Sequence, residues 1–320
     1  MFAIGLDTFS QRFQRWTPTR LVKWAAEHGF RTVSLDAREL PGLSVAEARR
    51  IRTAAERYGA RLLLSGGPLL TLSGRARVVT HQVSANVLRH WVDLCHGLGV
   101  SGFRTFALER TSVRWSWEDI RQPLTSCLYA LLDEFQQQGV VISLENHRDL
   151  YSEELVQLVK AIDCSLLGVC FDLGNQASVG EVPERALSRL RPHIVMYHVK
   201  DVAFRSSGFG YCWRSVPLGV GALPLQHMFA SMRSEVAPVP ILLEISTSRP
   251  TTFTPWRSLR NVRERDFFKT HVRAHGAWPE EIATYVDRDT DEMDLVARQE
   301  LQHLLRCIEW LNDNRLGVPG

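Results

Sequence analysis

Four short segments of the chain each set one metal-ligand residue type directly after an apolar run. They read LEN, FDLGN, YHVKD and LEIS, and they supply Glu145, Asp172, His198 and Glu244. Three carboxylates and a neutral imidazole form an oxygen-rich donor set. Such a set suits one divalent ion, with Mn²⁺, Mg²⁺ or Co²⁺ favoured and Zn²⁺ accommodated. Four protein ligands leave about two positions of an octahedron open, room for a substrate carbonyl and the hydroxyl beside it. An ion held there can polarise the carbonyl and stabilise an enediolate. Taken singly, a glutamate at a strand end is commonly a solvated acid, and a lone histidine a satisfied core residue. What points to one site is the recurrence of ligand types at four successive strand ends.

The elements that must position these residues are legible from periodicity. Apolar runs rich in β-branched and aromatic residues occupy 2–7, 32–37, 61–66, 102–108, 140–146, 167–174, 193–201 and 240–246. Several are continuously apolar, as expected of parallel strands buried on both faces. Helical periods separate them. Ser44 with Glu47, and Ser116 with Asp119, have capping-box spacing. Ser152, Glu153 and Glu154 open a third helix. Ile120, Leu124, Cys127, Leu128, Leu131, Leu132 and Phe135 share one face, with Pro123 as an early potential kink. Leu301, Leu304, Leu305, Ile308 and Leu311 form the stripe of a final helix.

Eight βα units with right-handed crossovers close into a barrel or spread as a doubly wound sheet. The count of eight, polar residues at strand C-termini and the lack of a Gly-rich fingerprint after the first strand favour an α/β fold of the (β/α)₈ TIM-barrel type. Residues 1–320 read as one domain. About 40 residues, roughly 247–290, separate the last strand from the last helix, more than a usual connection. They are rich in Arg and Trp, include Trp256, Arg257 and a possible short helix near Val262–Ala274, and read as a lid or cap on the catalytic face.

Composition narrows the function classes. With 45% hydrophobic and 23% charged residues and a net charge of +3, the chain has an ordinary globular balance and too weak a basic bias to argue for nucleic acid. No apolar run approaches the ~18 residues of a membrane span. The N-terminus lacks signal-peptide features, and six scattered cysteines without a CxxC pair read as reduced thiols. The expectation is a cytoplasmic protein, a possible homo-oligomer, acting on a small carbohydrate-like molecule.

The motifs LEN, GVCFDLGN, HVKD, PLGVG and LLEIS, in this order and spacing, resemble the xylose-isomerase-like barrel superfamily, in particular its sugar phosphate isomerase/epimerase branch. The resemblance spans nearly the whole chain. It implies that Glu145, Asp172, His198 and Glu244 ligate one divalent metal. It also implies that Glu145 and Glu244 flank the substrate as an acid/base pair, as two-face proton transfer requires. Two positions depart from the ketose 3-epimerases of that superfamily. Their histidine three residues after the aspartate ligand is Asn175 here, and their arginine six residues after the histidine ligand is Phe204, with Arg205 beside it. The endonuclease IV branch needs further zinc-binding histidines, whereas the third and fourth strand ends here offer Ser65 and Thr105 or Phe106.

Around the four ligands, His147, Asn175, Lys200, Asp201, Arg205 and Trp16 are candidate substrate contacts. His147 shares the side of Glu145; Asn175 either holds a hydroxyl or caps a helix; Lys200 can neutralise an enediolate or phosphate. Trp16 and its neighbours Arg12 and Arg15 follow the first strand, where an aromatic ring can pack on a sugar. The loop PLGVGALP (217–224) lacks the Gly-Lys-Ser/Thr ending of a nucleotide loop and is expected beside the substrate. The leading expectation is a metal-dependent isomerase or epimerase. A lyase or dehydratase on a related keto compound is the alternative, and an endonuclease IV-like hydrolase or a non-catalytic binding protein stands further back.

Overall fold

The structure, a computed structural model, describes residues 3–72, 79–108, 116–207, 210–233, 239–246, 251–253 and 293–316. The barrel strands are β1 (Ile4–Asp7), β2 (Thr32–Asp36), β3 (Arg61–Leu72), β5 (Gly102–Leu108), β6 (Val141–Glu145), β7 (Leu167–Asp172), β8 (Ile194–Val199) and β11 (Ile241–Leu243). Each pairs in parallel with the next, and β11 pairs with β1 to close the ring. This is a (β/α)₈ barrel, as expected.

The helices are α1 (Pro18–Glu27), α2 (Val45–Arg57), α3 (Ala85–Leu98), α4 (Trp117–Gln136), α5 (Ser152–Ile162), α6 (Leu173–Ser178), α7 (Pro183–Leu190), α8 (Leu225–Met232) and α9 (Met293–Asp313). Both expected capping boxes close, at Ser44/Glu47 and Ser116/Asp119. All seven apolar positions assigned to one face of α4 are buried, and the helix runs on through Pro123. In α5 the cap is Tyr151, whose backbone N–H donates to Glu154, and Ser152 is the first helical residue. On α9 the buried stripe runs through Glu300, His303, Leu304, Cys307 and Leu311, while Leu305 faces solvent.

Four strands lie outside the expected eight. β3 continues past the barrel rim and pairs antiparallel with β4 (Val79–Gln82). The strand expected at 193–201 breaks at Lys200, after which β9 (Asp201–Ser207) and β10 (Gly210–Val216) form an antiparallel hairpin. Within the expected lid, β12 (Thr251–Phe253) adds a third strand to that hairpin. The rest of the lid, with the helix near Val262–Ala274, Trp256 and Arg257, lies outside the described residues.

Side chains two apart on a strand face the same way. Leu63, Cys170, Met196 and Leu242, from β3, β7, β8 and β11, form a small buried cluster of their own inside the ring. Two residues further along the same chain stretches lie Ser65, Asp172, His198 and Glu244. The apolar layer is therefore the floor beneath a polar mouth.

Gly5 shows how tight the closure is. A Cβ there would meet the Thr32 carbonyl oxygen at 2.5 Å and Leu242 Cδ2 at 2.6 Å. Gly5→Ala is expected to destabilise the fold by about 1–3 kcal/mol through overpacking, seen as a lowered thermal midpoint. An unchanged midpoint would contradict this account of the β1 seam.

Candidate metal centre

Register sets the site. Glu145 ends β6 opposite Cys170, Asp172 ends β7 opposite His198, and His198 lies opposite Leu242. The backbone N–H of Glu244 donates to the Val199 carbonyl at 3.0 Å, extending the β11–β8 ladder by one residue. The four side chains are buried, and their potential ligand atoms all lie within 4.8 Å of one another. Among the described residues, the four expected ligands thus form one cluster that could hold a metal ion. In the ring order Glu145 and Glu244 stand at the ends of the arc, with Asp172 and His198 between them.

Neighbouring groups hold each ligand in place. Glu145 accepts from Arg104 Nη1 at 2.7 Å on Oε2 and from Asn175 Nδ2 at 2.7 Å on Oε1. Asn146 clamps Asp172 by its backbone, donating to the Asp172 carbonyl at 2.9 Å and accepting from the Asp172 N–H at 2.6 Å. Asp172 Oδ1 accepts from the backbone N–H of Asn175 at 2.7 Å and so caps α6. Lys200 Nζ lies 2.8 Å from Asp172 Oδ2 and 2.5 Å from Glu244 Oε1. His198 Nδ1 is 2.7 Å from Glu244 Oε2, and Nε2 is 3.7 Å from Asp7 Oδ2.

Two observations test whether a cation fits. Asp172 Oδ2 and both ring nitrogens of His198 are buried without a well-directed hydrogen bond, despite their short contacts. The connected network also holds the carboxylates of Asp7, Glu145, Asp172 and Glu244 against only two fixed cations, Arg104 and Lys200. Burial lowers the His198 pKa, but Cys170 and Glu244 hold it well above its ordinary value; the carboxylates still outnumber the cations of this network, and a divalent ion taking the place of the imidazole proton supplies the compensating charge. Burial pushes the carboxyls of Glu145 and Asp172 above the ordinary range, against the pull of Arg104 and Lys200 respectively. At Glu244 burial acts in the same direction, but Lys200 and His198 outweigh it and hold the group well below. Burial also pushes the nearby Cys170 thiol up to about 11, and Cys170 belongs to the apolar floor beneath the ligands.

Of the expected substrate contacts, Asn175 and Lys200 touch the ligands directly. His147 is half-buried, stacked on Phe106 at 4.0 Å between centroids, and kept neutral first by burial and then by Arg148. Asp201 needs correcting. Its buried carboxylate turns away onto the 217–224 loop and accepts from the backbone N–H groups of Val202, Gly219, Gly221 and Leu223 at 2.8–3.2 Å. A carboxylate saturated by backbone donors anchors a loop; it does not read a substrate. Trp16 lies 6.2 Å from Trp24 between centroids and under the Arg20 guanidinium at 4.5 Å, just before α1. Arg205 lies on β9, in the hairpin beyond the barrel, opposite Cys212. Arg12 packs over Phe9 and Phe13 and donates to Ser246 Oγ at 3.3 Å.

Three residues of the mouth were not singled out from sequence: Asp7, Asp36 and Arg104. Asp7 and Asp36 end the apolar runs IGLD and TVSLD, so the rule that marked the four ligands marks them too. Arg104 was signalled by a charge within GFRTFAL. It is Arg104 that joins the site from the fourth barrel strand, while Thr105 donates to the Gly67 carbonyl at 2.8 Å.

A family model described as xylose isomerase-like TIM barrel matches residues 22–271, and the chain belongs to that family. A curated relative from Pectobacterium atrosepticum, named 3-oxo-isoapionate decarboxylase, is 25% identical over 72% of this chain and 81% of its own. Among solved structures, a D-allulose 3-epimerase from Methylomonas sp. superposes with a TM-score of 0.62 at 15% identity, covering 98% of each chain. The probable 3-DHS dehydratase AsbF from Bacillus anthracis does so with a TM-score of 0.61 at 18% identity, covering 86% of this chain and all of its own. At these identities the two structures speak for the fold.

Asp201→Ala removes the acceptor shared by four backbone N–H groups. It is expected to cost roughly 2–4 kcal/mol of stability while leaving metal content per folded chain unchanged. Thermal unfolding and elemental analysis check both parts. A fully stable variant would contradict the anchoring role.

Proposed function

We propose that the chain is a divalent-metal-dependent isomerase or epimerase of a sugar or sugar-like hydroxycarbonyl compound. The observation that carries this reading is the buried arc of Glu145, Asp172, His198 and Glu244 with its two glutamates at the ends. Asp172 and His198, with the two glutamates, would hold the ion, which when bound supplies Lewis-acid polarisation of a carbonyl. Glu145 or Glu244 takes a proton on a carboxylate oxygen from the carbon beside the carbonyl, and the other returns one. Arg104 and Asn175 fix the orientation of Glu145, and Lys200 does so for Glu244, placing positive charge beside the developing enediolate. That the known members named above are enzymes supports catalysis over simple binding.

A second reading, a lyase, is favoured by one specific feature. Both oxygens of each glutamate already face a donor, Arg104 and Asn175 at Glu145, Lys200 and His198 at Glu244. Donors on a carboxylate weaken it as a base; at Glu145 burial outweighs them, so the weakening falls on Glu244, where Lys200 and His198 outweigh burial. Loss of carbon dioxide from a 3-oxo acid needs no initial base: the C–C bond breaks, its electron pair enters the enolate, and a protonated glutamate supplies the replacing proton. The decarboxylase name of the Pectobacterium relative points the same way. The nuclease alternative finds no support, because Ser65 and Arg104 stand where further metal ligands would be required.

The readings separate by product mass. The Mn²⁺-loaded protein is incubated in D₂O with ketoses and 3-oxo sugar acids. Both readings incorporate deuterium, but isomerisation conserves the carbon skeleton whereas decarboxylation releases carbon dioxide. In either case Glu145→Gln and Glu244→Gln are each expected to lower turnover about 10²–10⁴-fold. Full turnover in both variants would overturn the proposal.

A further inference from the structure

The turn after β6 leaves one cation unaccounted for. His147 N–H donates to the Glu145 carbonyl and Arg148 N–H to the Asn146 carbonyl, both at 3.0 Å. This tight winding puts Arg148 at φ +62°, a left-handed conformation uncommon for a residue with a long side chain. Such outliers persist where the surroundings enforce them, often at ligand sites. Asp149 pins the turn from below, accepting from the backbone N–H of Leu108 at 3.0 Å and of Leu150 at 2.8 Å.

The Arg148 guanidinium is carried onto the face of Trp213 on β10, 4.8 Å from the ring centroid. Among the described residues no carboxylate or other acceptor pairs with it, and its Nε is buried without a hydrogen bond. Two neighbours share that condition: the indole Nε1 of Trp213, itself only 5% exposed, and Nδ1 of His147. Buried polar atoms without partners are rare in folded proteins and call for an explanation. Here they belong to adjoining residues next to Glu145, and the guanidinium feels the charges of Glu145, Asp172 and Glu244. The other cations close to the cluster, Arg104 and Lys200, are already paired.

We propose that Arg148, with the indole N–H of Trp213 and the ring of His147, receives a carboxylate group of the substrate, so that the reacting molecule is a sugar acid and not a neutral sugar. The inference rests on the reading that a hydroxycarbonyl compound is turned over at the four-residue arc. A guanidinium stacked on an indole keeps its edge donors for an acceptor in its own plane, the geometry that a carboxylate matches with two parallel hydrogen bonds. A single unpaired cation matches a monoanion. A phosphate dianion, twice the charge, would leave one negative charge beside the carboxylates of the arc.

The test titrates the Mn²⁺-loaded full chain with D-gluconate, with D-glucitol as its neutral counterpart, and with D-glucitol 6-phosphate, following tryptophan fluorescence and calorimetry. The expected result is at least tenfold tighter binding of gluconate than of glucitol. Arg148→Ala should abolish that preference, Arg148→Lys should retain part of it, and Trp213→Phe should bind gluconate several-fold more weakly with a diminished fluorescence response. Circular dichroism confirms that each variant is folded. Equal binding of gluconate and glucitol, tighter binding of the phosphate ester, no gluconate binding at millimolar concentration, or an intact preference in Arg148→Ala would each overturn the inference. The two layers fail separately. Loss of turnover in Glu145→Gln with an intact anion preference in Arg148→Ala overturns the carboxylate site alone. An Arg148-dependent preference with full turnover in both glutamate variants overturns the catalytic reading alone.

Discussion

Burying more negative than positive charge at one end of a closed barrel is the constraint that organises this molecule. Asp7, Glu145, Asp172 and Glu244 are linked through Arg104, Lys200 and His198 in one network from which water is largely excluded. Carboxylates this deep are tolerated when paired, and here they outnumber the permanent cations Arg104 and Lys200. The barrel makes the crowding possible because each strand brings one polar side chain to the same height above an apolar floor. An open sheet would spread the same residues along a line, and no single cation could answer them.

The elements around the mouth keep that arrangement stiff. Asn146 ties β6 to the backbone of Asp172, Asp172 caps α6, and Asn175 from α6 returns to Glu145, so a closed loop of hydrogen bonds fixes two ligands at once. On the other side Asp201 gathers the 217–224 loop, and the β9–β10 hairpin carries Trp213 to the edge of the site. Preorganisation of this kind lets fixed dipoles and charges act on a substrate without reorganising during reaction.

The ring of strands and the four-residue arc were legible in the sequence because both follow from local patterns. A continuous apolar run announces a doubly buried strand, and the residue that ends it stands at the mouth. The same rule applied to β1 and β2 would have found Asp7 and Asp36. What stayed hidden depends on contacts between distant segments. Asp201 follows His198 in an apparently continuous strand, and only the break at Lys200 and the return of a loop some twenty residues later reveal that its carboxylate holds backbone. Trp16 follows the first strand, and its contacts with Trp24 and Arg20 of α1 are not readable from that position alone. The β9–β10–β12 sheet was missed because none of its strands, DVAFRSS, GYCWRSV and TTF, is a continuous apolar run.

The central claim is that the arc binds one divalent cation. Plasma mass spectrometry of the purified protein, beside an Asp172→Ala variant shown to be folded, tests it most directly. The account predicts about one divalent ion for each chain, lost in the variant, since the four ligands converge on one point. A metal-free protein whose thermal stability no added Mn²⁺, Co²⁺, Mg²⁺ or Zn²⁺ changes would contradict it.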